Sequence, residues 1–178
     1  MKKILLFLVL TLAAQAYSQK SKECVILFSG DTICFDKVKS DGNGKFSKVV
    51  GKTGGKETVL PPDSVRFILA DSVKYFWTKY GKGEVVIENK DYVLVSVYMD
   101  LHPNQVPHHD YFFYDKNNVL QEEMNKYKKC PDQLIKYFGS CEAFKSEVEK
   151  LRPKFNKPKF PWQDFYDLLY FHIITCEK

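Results

Sequence analysis

A succession of short strand-like segments separated by turn signals constrains the fold of this chain more than any other feature. The clearest segment is 92–99, where Val93, Val95 and Val97 point one way and the intervening residues point the other. This period of two is typical of a β-strand with one side packed on a core. Because the second side is also fairly apolar, we predict a central strand or one that lies under helices.

Further segments of the same kind occupy the region between about residue 24 and residue 120 and are bounded by clusters of glycine, aspartate and serine. They comprise residues 24–28, 32–38, 45–50, 56–60, 65–70, 73–78, 84–88 and 111–114. Many short strands at this spacing favour an antiparallel barrel or sandwich.

The pattern changes from strand-like to helical after Leu120. Pro131 suits the first turn of a helix that ends at Gly139, and apolar residues then recur at helical spacing over 140–151 and 161–173. The predicted fold class is α+β, an N-terminal antiparallel β barrel or sandwich followed by two or three C-terminal helices. The predicted parts are a signal peptide (1–18), a β domain (19–120) and a helical C-terminal part packed on it (121–178).

The first residues are typical of a cleavable export signal. Lys2 and Lys3 precede an apolar run over 4–14, and Ala14-Gln15-Ala16 supplies the small-x-small pattern that signal peptidase accepts. The run is far shorter than the roughly 20 residues of a membrane-spanning helix. We therefore expect cleavage after Ala16 or Ser18 and export of the mature chain to the periplasm or the medium, with no transmembrane segment.

The composition favours a folded domain without a role in nucleic-acid binding. Hydrophobic residues make up 44% and aromatic residues 15% of the sequence, which argues for a globule with a real core. Loss of the two signal lysines lowers the formal net charge from +5 to +3. That charge is too mild to indicate a nucleic-acid partner.

The five cysteines all lie in the predicted mature chain, where disulfides can form. They are Cys24, Cys34, Cys130, Cys141 and Cys176. Two bridges and one thiol can be drawn in fifteen ways, five leftovers times three pairings, and the spacing does not choose among them. Cys24 and Cys34 flank a predicted hairpin and share a face, which places them near one another. We expect each cysteine to be a structural disulfide or a buried thiol.

Three short motifs resemble those of small exported proteins from Bacteroidetes-type bacteria. Gly30-Asp31-Thr32-Ile33 is similar to the Gly-Asp-Thr-Ile that joins the first two strands of that family. The segment 60–67 resembles its Pro-x-Asp-Ile segment, with Ser64 inserted after the aspartate. The run 137–141 resembles its Tyr-Phe-x-Asp-Cys-Pro junction, with Ser140 in place of the acid. The resemblance implies export and a β-then-α layout, and because the family has no established activity it implies no catalytic or binding residue.

A histidine-rich loop is the sharpest hypothesis for chemistry in the sequence. His102, His108, His109 and Asp110 crowd one predicted loop, and imidazole and carboxylate are ligands for zinc or copper. The alternative is that they are solvated loop residues, since adjacent histidines point apart in an extended chain and the spacing matches no metal signature. No other cofactor is predicted.

A second hypothesis concerns a basic strip bracketed by prolines, which we expect to be an extended linker. The cations of this strip are Lys150, Arg152, Lys154, Lys157 and Lys159. An extended basic strip can hold an anionic polysaccharide or a lipid headgroup. The alternative is an ordinary solvated linker.

Two aromatic groups complete the candidates. Tyr75, Phe76, Trp77 and Tyr80 could stack on sugar rings, although at least one face of this group is expected to pack in the core. The last predicted helix carries an aromatic stripe that we interpret mainly as a core-packing face. The members of this stripe are Trp162, Phe165, Tyr166, Leu169, Tyr170 and Ile173.

The sequence contains no catalytic motif that a structural role does not explain better. The leading prediction is therefore an exported, non-enzymatic binding or structural module of the cell envelope or secreted space, with a protein or a glycan as partner. One alternative is a metal-binding protein or metal-dependent hydrolase that uses the His102–Asp110 loop. Another is an envelope accessory protein that acts through its aromatic C-terminal helix.

Overall fold

A computed structural model describes residues 22–42, 45–99, 108–124 and 128–177. The predicted signal peptide over 1–18, with both expected cleavage sites, lies outside the described residues, as does His102. Within those residues, no helix combines the length and the apolar character needed to cross a bilayer.

Two open antiparallel sheets precede three helices, so the α+β fold with an N-terminal sandwich-like β part is confirmed. The strands are β1 (Glu23–Leu27), β2 (Thr32–Phe35), β3 (Lys37–Gly42), β4 (Phe46–Thr53), β5 (Lys56–Leu60), β6 (Val65–Ala70), β7 (Val73–Thr78), β8 (Gly81–Glu88), β9 (Tyr92–Met99), β10 (His108–Asp115) and β11 (Leu120–Glu123). A 3-10 turn, Pro62–Ser64, precedes β6. The large sheet has the order β11-β10-β9-β8-β7-β6-β1-β2, and the small sheet has the order β3-β4-β5.

The single strand expected over 32–38 is wrong, because the chain leaves the large sheet at Asp36 and enters the small one. The Asp36 backbone N–H donates to the Lys52 carbonyl oxygen at 2.9 Å, and its carboxylate accepts from the Gly54 N–H at 2.8 Å. Both partners belong to the small sheet, so Asp36 fixes the point at which the strand changes sheet. Alternation alone does not reveal such a switch, since both halves are extended.

The large sheet curls so that one face, here called the concave face, packs on itself. The rings of Phe76 on β7 and Tyr114 on β10 lie 4.8 Å apart although two strands separate them. Val93, Val95 and Val97 of β9 fill the space between. β9 is therefore central, as its alternation predicted.

The opposite, convex face is covered by two different layers. Val25 and Ile68 pack under the small sheet, in one apolar cluster with Val49. Leu94 and Phe113 pack under the helices in another cluster. Since each layer covers only part of the convex face, the middle of the sheet is left for solvent or a ligand.

The helices are α1 (Cys130–Phe138), α2 (Glu142–Phe155) and α3 (Trp162–Cys176). The chain is not yet helical directly after Leu120, because β11 first pairs with β10. α2 also runs through Pro153, so the expected extended linker is wrong over its first residues. Pro153 is tolerated because only two helical residues follow it, and the one hydrogen bond it removes lies in the last turn.

Two disulfides tie the fold together, and they select one of the fifteen possible patterns. Cys24 and Cys34 face each other directly in the β1–β2 ladder and are bridged. Cys141, at the start of α2, is bridged to Cys176 at the end of α3. Cys130 is a buried free thiol, and burial raises its pKa to about 12, which keeps it protonated at neutral pH. Structural bridges of this kind are typical of proteins that mature in an oxidising compartment.

Candidate functional site

A groove of about 530 Å³ opens on the convex face between the large sheet and α3. Its volume lies within the range of about 300–1,000 Å³ that small-molecule sites occupy. Glu84, Ser96, His109 and Tyr111 line it from the sheet, and Tyr166 lines it from the helix. We call this feature the α3 groove.

The strand register explains why polar side chains meet in the α3 groove. Tyr75, Glu84, Ser96 and Tyr111 are direct cross-strand partners on β7, β8, β9 and β10. Neighbouring strands are about 4.8 Å apart, so this polar row extends about 14 Å across the sheet. The same row continues into Ile68 under the small sheet. The row is therefore apolar under the small sheet and polar along the groove, where Glu84 is exposed and Tyr111 is buried beneath α3.

A β-bulge in β8 opens one end of the groove. The pairing of β7 with β8 ends at Tyr75 and Glu84, and the pairing of β8 with β9 shifts register between Val85 and Ile87. A bulge bends its strand and increases the local twist. The end of β8 consequently diverges from β7, and an ion pair between Lys74 and Glu88 spans the opening.

Hydrogen bonds between side chains fix the floor of the groove. Ser96 Oγ and His109 Nδ1 are 2.9 Å apart, and the hydroxyl groups of Tyr111 and Tyr166 are 3.2 Å apart. Burial, together with the hydrogen bond to Tyr166, raises the pKa of Tyr111, so its phenol keeps its proton at neutral pH. The floor thus presents groups that both donate and accept hydrogen bonds.

Aromatic side chains form the rim of the groove. Tyr98 on β9 is 56% exposed and contacts the ring of His109 edge-on, with 5.4 Å between ring centroids. On α3, the rings of Trp162 and Tyr166 are stacked at 6.0 Å, and Tyr170 one turn further is 64% exposed. The groove therefore has an exposed aromatic ring on each side.

The aromatic stripe predicted for the last helix has two buried members and four exposed ones. Phe165 and Leu169 are buried in the core, as the core-packing interpretation expects. Trp162, Tyr166, Tyr170 and Ile173 are exposed instead. The interpretation is thus correct for two of the six members, and exposed members of the stripe lie along the helical side of the α3 groove.

A buried histidine supports the helical wall of the groove. His172 is 1% exposed, and its ring lies edge-on to the rings of Phe138 and Phe144. Its Nδ1 atom lies 3.2 Å from Glu177 Oε1. Glu177 also accepts the Glu88 backbone N–H at 2.9 Å. Burial alone would raise the pKa of Glu177, but the hydrogen bonds from His172 and Glu88 outweigh it and the pKa is lowered. This cluster joins the end of α3 to the end of β8.

The structure separates the residues of the predicted metal loop. His108, His109 and Asp110 begin strand β10 rather than forming a loop. His108 Nε2 lies 3.4 Å from Asp110 Oδ2 on one face of β10, whereas His109 points to the other face, toward Ser96. The described part of the chain holds no group of three or more histidine, cysteine or acidic residues that could bind a metal ion.

The predicted basic strip is largely helical, and acidic side chains neutralise its first three members. Lys150 pairs with Glu147 at 2.7 Å, and Lys154 pairs with Asp164 on α3. Arg152 forms two ion pairs at 2.7 Å, one with Glu149 and one with Asp132 on α1. Lys157 and Lys159 follow the helix and are exposed. The strip is therefore a set of ion pairs that link the three helices rather than a continuous cationic surface.

The aromatic group at 75–80 is divided between the faces as its alternation predicted. Phe76 is buried in the concave face, and Trp77 packs on the other side against Phe46 of the small sheet. Tyr80 stacks on Phe112 at 4.7 Å. Only Tyr75, whose ring lies 3.5 Å from Lys82 Nζ, belongs to the polar row beside the groove.

A second cavity of about 530 Å³ lies at the opposite end of β7, next to Trp77 and Phe28. Its charged lining residues, Lys45 and Asp63, pair with each other at 3.1 Å. Since these two charges are already paired, this cavity has fewer charged groups available to a ligand than the α3 groove has.

Sequence reasoning missed Glu84, Ser96 and Tyr98 as site residues. Ser96 is the single small polar residue in the apolar strand 92–99, and it is only 8% exposed. A buried hydroxyl in such a strand needs a hydrogen-bond partner. The sequence of β9 therefore indicated that a polar group packs beside Ser96, although it did not indicate that this group is His109.

The fold defines an open-sheet, sandwich-like α+β domain whose polar row meets an aromatic helix along a groove. Comparison of the chain with known protein families, functionally described proteins and solved structures finds no match. The function must therefore be inferred from the chemistry of the groove.

Proposed function

We propose that this protein is an exported, non-enzymatic binding module that holds its ligand in the α3 groove. The observation that carries the proposal is the polar row of the convex face, which lies between two apolar layers and opens to the α3 groove at the exposed side chains of Glu84 and His109. The side chains of Ser96 and His109 are hydrogen-bonded to each other, and Tyr111 is hydrogen-bonded to Tyr166, so the polar floor is held in place without a ligand. A rigid floor of this kind suits recognition, because a strand scaffold positions side chains more precisely than a loop does.

Two further observations support export. Lys2, Lys3 and the apolar run that follows them are typical of a signal peptide. The bridges Cys24–Cys34 and Cys141–Cys176 need an oxidising compartment to persist. The resemblance to small exported proteins has the same implication.

Native, non-reducing mass spectrometry of the protein from its own envelope and medium fractions tests the proposal. We expect a chain that begins at Tyr17 or Gln19, and a mass about four units below that of the reduced chain, about two for each disulfide. We also expect a bound ligand that is lost in a Glu84→Gln/Tyr98→Ala double variant. A Glu57→Gln variant, altered in the small sheet, is the matched control and should keep the ligand.

Other results would contradict specific parts of the proposal. A chain that retains Met1 and carries reduced cysteines would refute export. A ligand that is held equally by the wild type and the double variant would place binding outside the α3 groove. A stoichiometric metal ion that disappears in a His108→Ala variant would favour the metal-binding alternative.

A further inference from the structure

We infer that the ligand of the α3 groove is a neutral oligosaccharide. This inference rests on the proposed binding function and names the chemical class of its ligand. Three properties of the groove carry it: the hydrogen-bonding floor, the aromatic rim and the sign of the charge.

The floor matches the hydrogen-bonding character of sugar hydroxyl groups. A sugar hydroxyl both donates and accepts, and so do the side chains of Ser96, His109 and Tyr111. Glu84, which is exposed and forms no ion pair within the described part of the chain, adds a strong acceptor. Glu84 and His109 are exposed at the surface of the groove, whereas Ser96 and Tyr111 are buried behind them, so the exposed pair makes the first hydrogen bonds to a short sugar chain.

The rim supplies the second half of sugar recognition. A pyranose ring has hydroxyl groups around its edge and an apolar C–H surface on its face, and the face packs on aromatic rings. Tyr166 lines the groove from the helix, with Tyr170 one turn beyond it, and on the sheet Tyr98 contacts the lining residue His109. All three rings are exposed. Tyrosine suits this role because it combines an apolar ring with a polar tip.

The charge of the groove selects neutral sugars over acidic ones. Three carboxylates line it, Glu84, Glu88 and Glu177, against one ammonium group, that of Lys74. Lys74 is already paired with Glu88. An anionic ligand would therefore meet unfavourable charge without a free cation to bind it.

A polypeptide ligand fits the groove less well than a sugar. Extended peptides are held by main-chain hydrogen bonds to an open strand edge and by apolar pockets for alternate side chains. The strands that contribute Ser96 and Tyr111 are paired on both sides, and at the end of β8 the Glu88 N–H is already bonded to Glu177. The lining of the groove mixes apolar side chains such as Val86 and Ile173 with hydroxyl, imidazole and carboxylate groups, as the surface of a sugar mixes C–H and hydroxyl groups.

Titrations of the mature, disulfide-bonded protein followed by amide chemical shifts test the inference. The neutral probes are cello-, xylo-, manno- and chito-oligosaccharides, the acidic probe is oligogalacturonate, and tryptic peptides of casein represent polypeptides. We expect at least one neutral probe to shift the amides of Glu84, Ser96 and Tyr166, and to bind about tenfold more tightly than the acidic probe.

Variants connect that binding to the groove. Glu84→Gln and Tyr98→Ala are each expected to weaken the dissociation constant about tenfold, through loss of a charged acceptor and of a stacking ring. Tyr98→Phe should keep near wild-type affinity, because it keeps the ring. Glu57→Gln should leave binding unchanged. Thermal unfolding of each variant verifies that the fold is intact.

Two outcomes would overturn the inference without overturning the binding function. If oligogalacturonate or casein peptides shift the groove amides and bind more tightly than every neutral oligosaccharide, the ligand is not a neutral sugar. The groove would remain the binding site. Failure of every neutral probe to move the groove amides would reject a neutral sugar. The native mass spectrum would then decide the proposed function. A ligand that the wild type and Glu57→Gln keep and the Glu84→Gln/Tyr98→Ala variant loses would support binding in the groove.

Discussion

At the scale of single residues, Glu122 shows how one side chain can join a strand to a helix. Its carboxylate on β11 accepts hydrogen bonds from Lys136 Nζ at 2.8 Å, Tyr137 Oη at 2.7 Å and Gln133 Nε2 at 2.9 Å, all on α1. These bonds lower the pKa of Glu122 from 4.5 to about 2. A carboxyl group whose pKa is lower in the folded state stabilises the fold above its unfolded pKa.

The stability that Glu122 contributes should consequently be complete above pH 4.5 and be lost as the pH falls toward about 2. A Glu122→Gln variant cannot titrate, so its unfolding free energy should depend less on pH across that window than the wild type's. Urea unfolding at a series of pH values measures the difference. Identical pH dependence in the two proteins would show that Glu122 does not couple α1 to the sheet.

Gly51 is a residue whose small size the packing requires. It lies in the middle of β4, and a Cβ atom there would overlap the ring of the buried Phe35 on β2. Gly51→Ala should therefore lower the unfolding free energy by about 1–3 kcal/mol, the usual range for overpacking a core. Ser47→Ala, at an exposed position on the same strand, should stay within about 0.5 kcal/mol of the wild type.

Urea denaturation of both variants tests this requirement. If the Phe35 ring is the obstacle, a Phe35→Leu/Gly51→Ala double variant should lose less stability than the sum of the two single changes. An unaltered denaturation midpoint for Gly51→Ala would contradict the close packing of the two sheets at this point.

At the scale of elements, the two disulfides constrain chain loops of different length. Cys24 and Cys34 are separated by 10 residues, and Cys141 and Cys176 by 35. If bridges act by restricting the unfolded chain, the long loop contributes about 4 kcal/mol and the short one about 3 kcal/mol. Replacing Cys141 and Cys176 by alanine should therefore destabilise the protein more than replacing Cys24 and Cys34.

Chemical denaturation of the two alanine pairs under non-reducing conditions gives the comparison. Both variants keep the buried Cys130 thiol, so the reactivity of this thiol does not affect the comparison of their stabilities. A larger loss for the Cys24→Ala/Cys34→Ala pair would mean that native packing, rather than loop length, dominates the effect.

The elements that the sequence predicted correctly are those with a strong local pattern. β9 alternates over its whole length, and α1 starts with a proline and stops at Gly139. The misses have tertiary causes. The strand over 32–38 breaks at Asp36 because the small sheet supplies hydrogen bonds there, and α2 continues through Pro153 because ion pairs and core contacts hold its last turn. Neither cause is local.

At the scale of the whole molecule, the α3 groove could not be predicted because its residues are far apart in the chain. Glu84, Ser96 and Tyr111 become neighbours through strand register, and Tyr166 joins them only when α3 packs on the sheet. Register depends on the turns and the bulge in β8, which a single sequence specifies weakly. The helical side of the groove did leave a trace in the sequence, because the aromatic stripe of α3 has more members than the core buries.

The incomplete covering of the convex face is the property from which the candidate site arises. The small sheet protects Val25 and Ile68, and the helices protect Leu94 and Phe113. The sheet between these two layers carries the α3 groove, and the apolar cluster on its concave face supports it from behind.

The alternation of β9 has a consequence for how such a protein can diversify. Ser96 lines the groove and Tyr98 contacts the lining residue His109, while Val95 and Val97, their immediate neighbours in the chain, belong to the concave core. Substitutions at Ser96 or Tyr98 would therefore alter the groove side of the sheet, and they would leave the core side chains between them in place.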